Sequence, residues 1–109
     1  MSEIKHDIDQ ILSWLQERGQ SYLENTDLGR TLDDNKRLQN IHNEIEHESH
    51  NVHDRVLRCM RAADSWVHTG LIRADRLHAH AHTLLALWEK WALKLDSRRR
   101  LLRLTSKFY

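Results

Sequence analysis

Apolar residues return every three or four positions along nearly the whole chain, the spacing of one face of an α-helix and not the alternation of a strand. In the first stretch Ile4, Ile8, Ile11, Leu12, Leu15, Tyr22 and Leu23 share a face. In the second, Leu38, Ile41, Ile45, Val52, Val56, Cys59, Met60, Ala63 and Val67 do the same. The third is the most regular: from about Ile72, the residues Leu77, Ala81, Leu84, Trp88, Trp91, Leu95 and Leu102 follow a heptad-like progression. Two breaks separate the stretches. One is the cluster of turn and cap formers from Asn25 to Thr31, in which Thr31 or Asp27 is suited to cap the next helix. The other is Thr69-Gly70, where glycine suits the left-handed residue that closes a helix. Gly19, inside the first stretch, is expected only to lower helix propensity. The spacing predicts helices over about 3–25, 31–68 and 71–107.

The chain has 109 residues, enough for a single domain spanning 1–109, with three Gly and no Pro. Sandwiches, barrels and doubly wound sheets depend on Pro- and Gly-punctuated turns, so those classes are excluded. Four Trp and a dense Leu/Ile population set it apart from a disordered segment. At 1.5 Å per residue the two longer helices would reach some 55 Å, which demands an elongated rod. Short connections make sequential helices antiparallel. The expected fold is therefore all-α, an elongated three-helix bundle running up, down and up.

Charge adds a second pattern. Residues 1–54 hold five Lys/Arg against twelve Asp/Glu, a net −7, whereas residues 55–109 hold twelve against four, a net +8. In an up-down-up bundle Glu3, Asp7 and Asp9 would lie beside Arg55, Arg58, Arg61, Arg73 and Arg76. At the other end Glu24, Asp27, Asp33, Asp34, Glu44, Glu46 and Glu48 would lie near Lys94, Arg98, Arg99, Arg100 and Arg103. Exposed pairs contribute only about 0–1 kcal/mol each, so the pattern would set register more than stability. The single Cys59 excludes an intrachain disulfide and fits a reducing, cytoplasmic setting. The N-terminus lacks the apolar core of a signal peptide, and no uncharged run has the length of a membrane span.

Several positions match a known module. Trp14-Leu15, the Asp27-Leu28-Gly29 turn, the run Leu38, His42, Ile45-Glu46, then Arg55-Val56, Val67 and Gly70, and finally Leu77, Leu84, Trp88, Trp91, Leu95, Arg98 and Leu102 stand in the order of one complete repeat. With these residues the chain resembles a spectrin repeat, the triple-helical module of spectrin, alpha-actinin, dystrophin, plakins and the Dbl, Trio and kalirin exchange factors. About one residue is inserted before Asp27 relative to that pattern. Asn35 and Ser49 stand where aliphatic residues are usual, and His80 where Arg is common. The resemblance implies a left-handed bundle and one repeat of a longer multi-domain protein, with a place at the cytoskeleton or cell cortex. Its partners would be other proteins and adjacent repeats of the same chain.

Candidate chemistry is sparse. Trp14 and Trp88 are expected to meet as core anchors, joined in the core by Leu15, Leu38, His42, Ile45, Val56, Leu77, Leu84 and Leu95. Large apolar side chains at helical spacing pack far more often than they bind. Nine His include His78 and His82 at i, i+4, able to face one metal, with His80 on another side. No Cys or carboxylate joins them at the next helical turn, so no metal and no cofactor are assigned. Cys59 falls on an apolar face, and neither Glu46 beside His42 nor Asp54 beside His53 completes a triad, so no catalytic residues are named. Lys94, Arg98, Arg99, Arg100 and Arg103 form the one candidate interaction surface.

The expectation is thus a non-enzymatic structural spacer and protein-interaction module of a cytoskeletal or Rho-signalling scaffold, monomeric in preference to homodimeric. One alternative is a self-associating coiled coil pairing through Leu71, Leu87, Leu101 and Leu104. Another is a basic-patch binder of anionic lipid or nucleic acid, disfavoured because the acidic surface alongside would neutralise its field.

Overall fold

The structure is a computed structural model that describes residues 2–70 and 72–109. Leu71, one of the candidate pairing residues, lies outside the described residues, as do Met1 and the side chains of Ser2, Ile72 and Arg73. The described chain is all-helical and measures 59 × 18 × 17 Å. The first helix comprises Ser2–Trp14, a π-helical turn Leu15–Gly19 and a final segment Gln20–Glu24. The second runs Leu32–Val67 and the third Ile72–Ser106, and these two long helices pack against each other. No described helix is long and apolar enough to cross a membrane.

Local chemistry sets the ends. Thr31 is extended (φ −130°, ψ 166°), and its Oγ1 accepts from the Asp34 N–H at 3.1 Å, so Thr31 and not Asp27 caps the second helix. Asp27 instead folds the loop, its Oδ1 accepting from the Gly29 N–H at 2.9 Å. Gly29 has φ +88°, and a Cβ there would lie 2.6 Å from the Asn35 backbone nitrogen. Gly70 closes the Thr69-Gly70 turn at φ +75° with open space around it.

One apolar cluster joins the three helices: Ile4, Ile8, Ile11 and Leu15 from the first, Ile45, Val52, Val56, Cys59 and Ala63 from the second, Leu77, Ala81, Leu84, Trp91 and Leu95 from the third. The tryptophans depart from expectation. Trp14 meets Trp91, edge to face at 5.1 Å, whereas Trp88 is half-buried and stacks on His53 at 4.1 Å. Trp88 and Trp91 are three residues apart, so both lie near the seam, and Trp91 is the one that packs against Gly19. A Cβ on Gly19 would stand 2.9 Å from Trp91 Nε1, so only glycine lets that indole in. Gly19 is a contact surface as well as a weak helix former. The third helix is also less one-sided than its heptads suggest, with Leu87, Leu93, Leu101 and Leu104 all exposed.

Two comparisons test this packing. Trp91→Ala should cost about 3–5 kcal/mol and Trp88→Ala clearly less, read by chemical denaturation. Gly70→Ala should cost about 1–2 kcal/mol from left-handed strain alone. Gly29→Ala should cost more, because the added methyl meets backbone that cannot move aside; equal losses would refute that account.

Candidate functional site

Eight of the expected core residues, Leu15, Leu38, His42, Ile45, Val56, Leu77, Leu84 and Leu95, are buried; Trp14 and Trp88 are half-buried and pack against the cluster. The structure separates the basic residues grouped by sequence. Arg98 is only 7% exposed and points inward. Its Nε donates to the Tyr22 hydroxyl at 3.2 Å, its Nη2 to the Asp27 carbonyl at 2.9 Å, and its guanidinium carbon lies 5.3 Å from the centre of the Tyr22 ring. Arg99 pairs with Asp96 and approaches Glu46 at 3.7 Å, and Arg100 reaches Asp96 at 3.0 Å. Lys94, Arg100 and Arg103 remain exposed. Arg98 therefore leaves the candidate surface: a Tyr hydroxyl, a Tyr ring face and a loop carbonyl converge where its long side chain reaches.

That inward arginine belongs to a buried polar network. His42, 1% exposed, faces the Tyr22 hydroxyl through Nδ1 at 2.6 Å and Glu46 through Nε2 at 3.0 Å. Burial pushes the His42 pKa down, against the opposing pull of Glu46, and burial likewise pushes the Tyr22 hydroxyl up. Neutral His42 then donates from Nε2 to Glu46 and accepts at Nδ1 from Tyr22, whose oxygen accepts from Arg98. Asn35, at a usually aliphatic position, is fully buried and fully used. Its Nδ2 donates to the Leu28 and Leu102 carbonyls at 2.9 and 3.0 Å, and its Oδ1 accepts from Gln39 at 2.7 Å. The network is a fastening, with every member engaged by protein. Cys59 is buried and its thiol pKa is raised by desolvation, the environment of an inert cysteine.

Among the described residues, ion pairs between the acidic and basic halves are few: Asp7–Arg55 at 3.5 Å and Glu46–Arg99. Arg18 pairs with Glu48 at 2.8 Å inside the acidic half itself. At the far end from the polar network the second helix supplies what local sequence spacing did not. Asp64 Oδ1 lies 2.7 Å from His78 Nε2, which lies 3.0 Å from His82 Nε2. The carboxylate that groups with the two histidines comes from the facing helix. Sequence could have found it only by pairing the residues before Gly70 with those after it.

No protein-family model matches the chain, and no solved structure gives a significant match.

The His42 pKa sets a sign for pH. A histidine whose folded pKa lies below its unfolded value binds fewer protons when folded, so stability is full above about pH 6.5 and falls as pH drops below it. Thermal melts between pH 7.5 and 5 should show that fall, with His42 contributing at most about 1.4 kcal/mol per pH unit. His42→Gln should flatten it, and an unchanged slope would discard this role for the network.

Proposed function

We propose that the chain is a spectrin-like triple-helical repeat, an elongated, left-handed, up-down-up bundle. It serves as a non-catalytic spacer and protein-interaction module in a cytoskeletal or Rho-signalling scaffold of the cytoplasm. Its partners in this reading are other proteins and adjacent repeats of the same chain. The observation that carries it is the 59 Å rod whose apolar cluster draws on all three helices. Such a body fixes the separation of whatever is joined to its ends and presents helical faces along its length.

Cross-helix pairs support the helix directions. Asp7 with Arg55, Arg18 with Glu48 and Tyr22 with His42 run in opposite numerical order, as do Glu46 with Arg99 and Asp64 with His78. Trp14 with Trp91 and Tyr22 with Arg98 run in the same order. The basic-patch reading is weakened by the inward turn of Arg98 and by Asp96, which serves both Arg99 and Arg100. The self-association reading has its own support in Leu93, 72% exposed, and in Leu101, Leu104 and Phe108.

Dyes on Glu3→Cys and Lys107→Cys, with Cys59→Ala to leave no third thiol, test the spacer by energy transfer. The expected result is a narrow separation near the 59 Å rod length that does not change with protein concentration. Ends found within about half that length would overturn both the helix order and the spacer. Sedimentation equilibrium should return the 13.1 kDa monomer. A dimer abolished by Leu101→Gln with Leu104→Gln would replace the spacer with the coiled-coil reading.

A further inference from the structure

We infer that Asp64, His78 and His82 form a binding site for a borderline divalent cation of the zinc type, clipping the second helix to the third close to the turn that joins them. The three ligand atoms lie within 4.8 Å of one another, and among the described residues they are a group of mixed imidazole and carboxylate donors. With Zn–N and Zn–O bonds near 2.0–2.2 Å and tetrahedral angles, ligand atoms stand roughly 3.3–3.6 Å apart. The observed edges of 2.7 and 3.0 Å fall a few tenths of an ångström short of that spacing and all three atoms lie within 4.8 Å, so the site closes on an ion with small side-chain movements. The i, i+4 spacing of the two histidines sets both rings on one face of the third helix, tilted at 53° with centres 4.3 Å apart.

Hydrogen bonding alone serves this triad poorly. His78 Nε2 has one in-plane valence yet faces both the Asp64 carboxylate and His82 Nε2. If protonated, it splits one proton between two acceptors. If unprotonated, it opposes its lone pair to a carboxylate. A cation takes all three lone pairs at once, leaving its fourth position to water, and two imidazoles with one carboxylate suit Zn²⁺ and compete for Co²⁺, Ni²⁺ and Cu²⁺ in the usual affinity order. Because the ligands come from two helices, the ion would bind the folded chain in preference to the unfolded one and raise its melting temperature.

Co²⁺ titration of the chelator-treated full chain, followed by visible absorption with Zn²⁺ as competitor, tests the site. One equivalent should bind, Zn²⁺ should displace it, and the melting temperature should rise with either ion. His78→Ala, His82→Ala and Asp64→Asn, all on partly or fully exposed side chains, should each weaken binding by about tenfold or more. His80→Ala, on another side of the same helix, should leave it unchanged. Absence of saturable binding at micromolar metal would overturn the inference. So would binding that survives loss of either histidine, or that Asp64→Asn leaves intact.

Discussion

Register between the helices is the constraint on which this molecule depends. A rod 18 by 17 Å across has room for a core only one side chain deep, so each level along the axis is closed by a few residues from each helix. In a wider protein a misplaced side chain can be absorbed by neighbours in several directions. Here the only neighbours are the levels above and below. Apolar levels such as Ile11, Val56 and Leu84 do not by themselves choose between nearby registers. The polar level does. Asn35 meets the Leu28 and Leu102 carbonyls, and Tyr22 joins His42 to Arg98, in one alignment only. A slip would strand buried donors and acceptors at roughly 1–3 kcal/mol each. Specificity is concentrated at that end of the rod, and the apolar cluster supplies the bulk of the burial.

This arrangement explains why the charge division of the sequence is a poor guide to contacts. The positive half contains Arg98, yet that charge is held by a hydroxyl, a ring face and a carbonyl, none of them acidic. Arg99 and Arg100 lean on Asp96 of their own helix, and Arg18 is paired within the negative half. Among the described residues, long-range complementarity between the halves reduces to two close pairs. Close-range polar geometry, not net charge, ties the helices together.

The helical class and the ends of the helices were legible because they are local. A 3.6-residue period, a Thr cap with acids in the first turn and a glycine at positive φ all act within a few residues of where they are read. What sequence left hidden involves two segments at once. Trp88 and Trp91 carry equal local signals, and only Gly19 on another helix admits the second. Arg98 reads as one of four surface arginines because its partners, Tyr22 and Asp27, lie more than seventy positions away. Asp64 was invisible as a companion to His78 and His82 for the same reason, and Asn35, read as a departure from pattern, is the residue whose amide fastens loop to bundle.

The π-helical turn at Leu15–Gly19 has a last consequence. The Gln20 N–H bonds back to the Leu15 carbonyl, five residues behind it, so this turn holds one residue more than an α-helix would. Leu15 and Gly19, at its two ends, are both buried. The surplus residue is carried as a wider coil on the solvent side, and the parts of the helix before and after it face the same seam. What the bundle preserves is the direction in which side chains look, not the count of residues between them. Chain length can drift by one while the seam stays whole.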